Sequence, residues 1–225
     1  MFSDLDRDFM ANRMKMIVAS IESKLNEQFF AANKEVAVNS ISCYVEAVKR
    51  LEESGTSRDL TSGKDNEAEE SIAAHFRKIT EGIENTNPVY HVLDALRHSF
   101  SCYAYNGLHQ LYTRQENESC QPTIKLTEIL EPNDIQSLSR NLTIYRGCDI
   151  SELEHNAFGQ AWSTSPNIAY DFAFKHYQGQ DWFDEKTRVV LEAKCSRDDV
   201  LFSDQSIEYE VVVNVTRLHG VQRHK

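Results

Sequence analysis

Apolar residues recur at helical spacing through the first half of the chain, and polar residues fill the positions between them. Steps of three and four residues place apolar side chains on one face of a helix, so the pattern predicts a helical N-terminal half. The four runs are Met10, Met14, Ile17, Ile21, Leu25 and Phe29; Ala37, Ile41, Val45, Val48 and Leu51; Ile72, Phe76, Ile79 and Ile83; and Val89, Leu93, Leu96, Phe100 and Tyr103.

Two local signals separate these helical segments. Residues 54–66 interrupt the apolar pattern and are rich in Ser, Gly, Thr and charged side chains, which predicts a mobile loop. Asn87 and Pro88 favour a new helix, with Asn as its N-cap and Pro at its first position. We expect that helix to extend to about Tyr112.

The second half changes to short runs of β-branched and aromatic residues. Residues 142–145, 188–193 and 209–215 are predicted strands, and the valines of the last run predict a central, buried strand. Residues 166–174 favour a helix that begins directly after Ser165. Helices followed by strands indicate an α+β layout rather than alternating βαβ units.

This layout divides the chain into two expected regions. We predict a helical lobe over residues 1–130 and a core over residues 131–225. The helices from residue 87 on are expected to form one compact unit with that core. A length of 225 residues has room for one full domain with a smaller appendage.

Composition indicates a soluble protein of a reducing compartment. Five cysteines are scattered without a Cys-x-x-Cys pair, which favours the cytoplasm over a disulfide scaffold or a zinc site. No apolar run approaches the roughly 20 residues that cross a bilayer, and the N-terminus lacks the pattern of a secretory signal, so no membrane association is expected. A net charge of −11 argues against a large phosphate-backbone footprint.

Common catalytic and phosphate-binding motifs are missing from the sequence. It contains no Gly-x-Gly-x-x-Gly, no Gly-x-x-x-x-Gly-Lys-Ser/Thr, no His-Glu-x-x-His and no Gly-x-Ser-x-Gly. Eight histidines occur without ligand spacing, so we expect no metal. The basic segment 217–225 is interpreted as a solvated chain end.

Three short elements in the last eighty residues remain as candidates for chemistry. The first is Tyr145, Arg146 and Gly147, at the end of a predicted strand. A guanidinium suits bidentate recognition of phosphate, and a glycine lets the backbone approach a flat amide closely. The alternative for Arg146 is a salt bridge at a strand end.

The second element is Ser163, Thr164 and Ser165, which precede Pro166 and the predicted helix. Ser165 fits the N-cap of that helix, which leaves Ser163 to point elsewhere. The third element is Glu208 and Glu210. Two residues of one strand at this spacing share a face, where like charges repel and one pKa rises. A solvated outer face is the alternative for this pair.

Taken in order, the Arg, Ser-Thr-Ser and Glu-x-Glu elements resemble the signature of the NAD-dependent mono-ADP-ribosyltransferases. The resemblance covers about residues 141–215 and includes the helix after Ser165 and the aliphatic run after Glu210. It implies an α+β fold in which a helical N-terminal half precedes a mixed β-sheet core that binds NAD. It names NAD as donor substrate and implies that no metal takes part.

The resemblance also implies roles for single residues. Arg146 would hold the phosphate and ribose region of NAD, and Gly147 would contact the nicotinamide amide. Ser163 would hydrogen-bond and orient Glu210, which would stabilise the oxocarbenium ion. Glu208 would assist the incoming acceptor.

Further residues complete the implied site. Phe172 is the expected aromatic wall beside nicotinamide, with Trp162 as second candidate, and Thr164 is expected to contact the cofactor. Residues 204–207 would help to recognise the acceptor. Glu at the position of Glu208 is typical of family members that modify arginine side chains.

The function expected from the resemblance is transfer of ADP-ribose to a protein arginine by an intracellular toxin or effector, of bacterial or phage origin. One alternative is modification of RNA or DNA by the toxin of a toxin–antitoxin or phage-defence system. Another is a non-catalytic helical binding protein. Under either transferase hypothesis, the helical half would receive the acceptor or an inhibitory antitoxin protein.

Overall fold

A computed structural model of the protein describes residues 2–55, 65–112, 124–179 and 183–225. The chain divides into two units, Met1–Lys125 and Leu126–Lys225, which we call the helical unit and the sheet unit. This division lies a few residues before the expected boundary at 130/131. The helix Pro88–Tyr112 belongs to the helical unit, whereas we expected it to join the core.

Long helices with one buried face build the helical unit. They bury every member of the predicted runs that begin at Ala37 and Val89, so those two predictions are confirmed. The α-helices described in this unit are α1 (Asp4–Asp8), α2 (Val18–Leu25), α3 (Lys34–Ser54), α4 (Glu67–Ile79) and α5 (Pro88–Tyr112).

Caps fix the ends of two of these helices. Asn66 caps α4 in a reciprocal capping box with Glu69, which satisfies backbone N–H groups of the first turn. Gly55 ends α3 with φ of 66°, a left-handed conformation that favours glycine. Residues 56–64, most of the predicted mobile loop, lie outside the described residues.

The first predicted helical run is broken into pieces, which corrects the expectation of one continuous face. A π-helix over Phe9–Arg13 ends before Lys15, whose φ of 55° cannot continue a right-handed helix. Met16 then forms an isolated antiparallel bridge with Ile124. The interruption resets the helical phase, so Ile17 and Phe29 are exposed although the run predicts them to be buried.

An antiparallel sheet of six strands forms the second unit, in the order β4-β5-β2-β1-β3-β6. All of its described pairings are antiparallel, so the prediction of a mixed sheet is wrong. Hydrophobic patterns locate strands but do not encode their direction, which the connections decide. The strands are β1 (Asn141–Asp149), β2 (Ala161–Ser163), β3 (Arg188–Ser196), β4 (Val200–Asp204), β5 (Glu210–Val213) and β6 (His219–Arg223).

The two faces of this sheet differ. One face carries the apolar core, with Leu142, Ile144 and Cys148 of β1 next to side chains from β2, β3 and β5. Two helices, α6 (Ser151–Glu154) and α7 (Pro166–Phe174), follow β1 and β2. On the other face α7 packs so closely on β1 that a Cβ on Gly147 would lie 2.0 Å from the Ala169 carbonyl oxygen.

The strand predictions succeed where the strands are buried. Residues 142–145 and 188–193 lie within β1 and β3, and the valines of β5 are fully buried as expected. The basic segment 217–225 is not only a solvated end, because β6 pairs with β3. Backbone pairing holds this exposed edge strand, so no apolar alternation marks it in the sequence. Among the described helices, none has both the length and the apolar character to span a bilayer.

Candidate functional site

The sheet brings the three sequence elements onto adjacent strands. Tyr145 of β1 lies directly opposite Ser163 of β2, and Ser163 lies opposite Glu210 of β5. Residues that face each other across antiparallel strands have side chains on the same face of the sheet. The side chains of Ser163 and Glu210 therefore share one face, which is also the face of Tyr145.

Ser163 supports the backbone around Glu210 rather than its carboxylate. Its Oγ donates a hydrogen bond to the Glu208 carbonyl oxygen at 2.8 Å and accepts one from the Ser165 N–H at 3.0 Å. A serine hydroxyl has a single proton, and here the Glu208 carbonyl takes it. The expected hydrogen bond from Ser163 to the Glu210 side chain is thus replaced by a bond to the preceding turn. Ser165 occupies the N-cap position of α7, but its own hydroxyl makes no cap bond.

The two glutamates do not share a strand, which corrects the predicted pairing of carboxylates on one strand face. β5 begins at Glu210, which is 9% exposed, whereas Glu208 lies in the preceding turn and is half-buried. Tyr209 between them has φ of 52°, in the left-handed region. Because of this turn, Glu208 and Glu210 do not follow the alternation of a continuous strand, which the predicted pairing required.

Gln205 joins the Ser-Thr-Ser element to the start of β5. Its Oε1 accepts from Thr164 Oγ1 at 2.7 Å, and its Nε2 donates to the Glu210 carbonyl at 3.0 Å and to Ser203 Oγ at 3.2 Å. Its backbone N–H donates to Asp134 Oδ2 at 2.8 Å. Residues 204–207 were expected near an acceptor, but no sequence pattern marks Gln205, because its role depends on these tertiary hydrogen bonds.

Arg146 forms a bidentate ion pair with Glu152. A salt bridge at the strand end was the alternative expected for Arg146, but its partner was not predicted. Nε and Nη2 of Arg146 donate to the two carboxylate oxygens of Glu152 at 2.9 and 2.8 Å, and its Nη1 donates to the Ala161 carbonyl at 2.6 Å. The side chain of Arg146 is only 10% exposed. Glu152, on α6, was not predicted as a site residue.

The surroundings of this ion pair are tightly packed and polar. Glu152 Oε2 also accepts the Gly159 N–H at 2.9 Å. Burial alone raises the pKa of the Glu152 carboxyl, but the Arg146 guanidinium and the Gly159 N–H outweigh it and hold that pKa below its ordinary value. A Cβ on Gly159 would lie 2.4 Å from Arg146 Nη2, so the glycine makes room for the guanidinium.

The alternation along β1 separates Arg146 from the face of Glu210. Tyr145 shares its face with Ser163 and Glu210, so the next residue, Arg146, points to the opposite face. The structure thus brings Ser163 and Glu210 together but places the guanidinium of Arg146 with Glu152 and β2. Gly147 is on the Tyr145 face, where α7 covers it.

The two aromatic candidates differ in their surroundings. Trp162 is 3% exposed in the core, where its Nε1 donates to the Gly159 carbonyl at 2.9 Å. Phe172 on α7 is half-buried and stacks on His176 with ring centroids 4.4 Å apart. Trp162 is therefore a core residue, and Phe172 retains aromatic surface outside the core.

Polar side chains continue the Glu210 face across the sheet. Tyr145 lies opposite Glu192 of β3, and Glu192 Oε2 is 2.9 Å from Nδ1 of His224. The Tyr145 ring packs edge-on against His224, with centroids 4.9 Å apart. We call Glu210, Ser163, Tyr145 and Glu192 the polar row. A row of carboxylates and hydroxyls on rigid strands can hydrogen-bond a polyhydroxylated ligand and stabilise developing positive charge.

Comparisons with protein-family models, with curated proteins and with solved structures found no match to this chain.

Proposed function

We propose that the sheet unit is an NAD-dependent mono-ADP-ribosyltransferase. The observation that carries the proposal is the register Tyr145–Ser163–Glu210, which joins three distant sequence elements on adjacent strands. Segments that are far apart in sequence need not lie on adjacent strands. Their convergence at one place supports the function that the resemblance implies.

The chemistry assigned to Glu210 follows from its position. In the proposed reaction the bond between ribose C1′ and the nicotinamide nitrogen breaks, and nicotinamide leaves with the electron pair. The ribose then carries oxocarbenium character, which a carboxylate beside it stabilises. Glu210 is 9% exposed, and low solvent access strengthens such an interaction.

Transfer requires an acceptor whose proton is removed as the new bond to ribose C1′ forms. We assign this proton to the carboxylate of Glu208, in the turn that Ser163 anchors through the Glu208 carbonyl. The resemblance associates a glutamate at this position with arginine, so the proposed acceptor is an arginine side chain of a protein. The protein would act as an intracellular toxin or effector.

The structure changes the role that we assign to Arg146. Its donors already bind Glu152 and the Ala161 carbonyl, so it positions β2, on which Ser163 lies, rather than holding the phosphates of NAD. Phe172 remains the proposed aromatic wall beside nicotinamide, and Thr164 contributes by fixing Gln205. Trp162 has no direct role, because it lies in the core.

The test is release of nicotinamide and transfer of label from labelled NAD in cell lysate. Wild type is compared with Glu210→Gln and with a matched control, Glu185→Gln, which changes an exposed carboxylate of the same unit. Loss of a group that stabilises transition-state charge is expected to lower kcat/KM by about 10²–10³-fold. The control should retain wild-type activity.

Treatment of the labelled products separates the acceptor classes. Label that protease removes supports a protein acceptor, whereas label that survives protease but not nuclease identifies RNA or DNA as the acceptor. If neither label nor nicotinamide release depends on Glu210, the transferase proposal fails.

A further inference from the structure

The helical unit contains a cavity of about 550 Å³ between α1, α3 and α4. This volume lies within the range of about 300–1,000 Å³ that small-molecule sites occupy. The cavity reaches solvent, because Cys43 and Arg50, which line it, are exposed. All the residues that line it belong to the helical unit.

One wall of this cavity holds a buried carboxylate with an unusual lack of positive partners. Asp6 is 8% exposed and lines the cavity together with Ser42, whose Oγ donates to Asp6 Oδ2 at 2.7 Å. Among the described residues, no Lys, Arg or His pairs with Asp6, and its Oδ1 accepts no hydrogen bond. Buried carboxylates are normally paired, because water no longer solvates their charge.

The other charged groups of the cavity do not neutralise Asp6. Arg50 binds Glu46, four residues before it on α3, at 3.3 Å. His75 uses its Nε2 in a hydrogen bond with Ser40 Oγ at 3.0 Å. Burial and then the charge of Lys78 lower the pKa of His75, so the ring is neutral at neutral pH. Two carboxylates against one guanidinium give the lining a net negative charge.

Tyr44 closes one part of the cavity wall. Tyr44 is 1% exposed, and within the described part of the chain its hydroxyl makes no hydrogen bond. Its ring packs edge-on against His75, with centroids 5.6 Å apart, and almost none of the ring is open to a ligand. A negatively charged cavity suits a cationic ligand better than an anionic one.

We propose that this cavity binds a small organic cation, whose ammonium or guanidinium group donates hydrogen bonds to Asp6 Oδ1. The apolar part of the ligand lies against Ala47. The same chemistry is available from a free amine or guanidine and from the arginine side chain of another protein. The proposal does not depend on the transferase function of the sheet unit.

The test uses the full chain and two cationic probes, agmatine and the peptide acetyl-Gly-Arg-Gly-amide, with sodium acetate as the anionic control. Binding is measured by calorimetry in wild type, Asp6→Asn and Asp8→Asn. Asp8 is the matched control, because it lies on the same helix, is exposed and accepts its hydrogen bond from Asn12 at 2.6 Å. Loss of a charge-assisted hydrogen bond should weaken cation binding at least about tenfold in Asp6→Asn and leave Asp8→Asn unchanged.

A second readout locates the bound probe. Cys43 lines the cavity and is exposed, whereas Cys102, Cys148 and Cys195 are buried. The rate of Cys43 alkylation, followed by peptide mass spectrometry, should fall in wild type when the cation is present.

Each outcome decides the proposal. Asp6-dependent binding of agmatine indicates a free ligand, and Asp6-dependent binding of the peptide alone indicates a protein side chain. If neither cation binds, or if binding and Cys43 protection are the same in Asp6→Asn as in wild type, the cavity is not a cation site. An unchanged thermal midpoint in Asp6→Asn excludes misfolding as the cause of lost binding.

Discussion

The Nε, Nη1 and Nη2 groups of Arg146 all donate hydrogen bonds to protein oxygens, so loss of this side chain should lower the stability of the sheet unit. Glu152 receives two of these bonds and the Ala161 carbonyl receives the third. A planar guanidinium fits such a bidentate pair, and an ammonium cannot reproduce it. The residue that the sequence marks as a phosphate ligand is thus a structural link between β1, α6 and β2.

Neutralising Glu152 is expected to destabilise the sheet unit. Glu152→Gln leaves a largely buried guanidinium without its counter-charge, so the free energy of unfolding should fall by about 3 kcal/mol. Urea denaturation monitored by tryptophan fluorescence measures this change. Glu46→Gln is the control, because Glu46 belongs to an exposed pair with Arg50, and its loss should cost under about 0.5 kcal/mol. Equal losses in the two variants would show that the Arg146 pair is not buried as described.

Gly147 is required by its packing against α7. A Cβ there would lie 2.0 Å from the Ala169 carbonyl oxygen and 2.4 Å from the Ala173 nitrogen, and both are backbone atoms that cannot rotate away. Gly147→Ala should therefore lower the free energy of unfolding by about 2–3 kcal/mol, the cost of overpacking. Gly179→Ala is the matched control, since nothing lies within 4 Å of the added methyl group. A thermal midpoint that is the same in both variants would contradict the described contact of α7 with β1.

At the scale of elements, regular apolar spacing predicts helices and strands correctly, whereas breaks caused by a single residue with a left-handed backbone are not predicted. The apolar spacing of α3 and α5 and the valines of β5 are regular, and the structure buries them as expected. The left-handed residues Lys15 and Tyr209 break a helix and a strand at places where no glycine or proline signals a break. These two positions account for the interrupted first helix and for the separation of Glu208 from Glu210.

In the candidate site, too, the strands can be predicted from the sequence, whereas the side-chain contacts cannot. The strands that carry Arg146 and Glu210 are visible in the sequence, and the register then brings their neighbours together with Ser163. The ion pair with Glu152 and the bonds of Gln205 are invisible, because each joins a side chain to a partner chosen by tertiary structure. Strand β6 is also missed, since backbone groups pair it with β3 and four of its five residues are exposed.

Under the proposed function, NAD cleavage and transfer to the acceptor can be separated. Glu208 lies in the turn before β5, outside the strand that holds Glu210. Glu208→Gln should abolish transfer of ADP-ribose to an acceptor, because the amide cannot take the acceptor's proton, and should leave hydrolysis of NAD within about threefold of wild type. Nicotinamide release and acceptor labelling, measured in the same samples, report the two steps. Loss of both activities would place Glu208 in the cleavage step as well.

At the scale of the whole molecule, the net charge and the carboxyls with lowered pKa values have opposite effects on the free energy of unfolding as pH falls. The chain has a net charge of −11 at neutral pH, so protonation of exposed carboxylates first reduces its self-repulsion. Two carboxyls of the sheet unit have pKa values below their ordinary values. Burial raises the pKa of Asp149, but hydrogen bonds from Thr187 and Ser151 outweigh it, and the Arg146 pair has the same effect on Glu152.

Because these pKa values are lower in the folded state than in the unfolded state, both carboxyls stabilise the fold above the unfolded-state pKa values, and this contribution is lost as pH falls through the folded-state values. For Glu152 the ordinary pKa is 4.5, so its contribution is complete above that pH and declines below it. The difference in unfolding free energy between wild type and Glu152→Gln should therefore be constant from pH 7 to about pH 5.5 and shrink steadily toward pH 3. Urea titrations at half-unit pH steps measure that difference directly, and Asp149 contributes equally to both proteins and cancels. A difference that stays the same down to pH 3 would mean that the pKa of Glu152 is the same in the folded and unfolded states, and the ion pair with Arg146 would have to be abandoned.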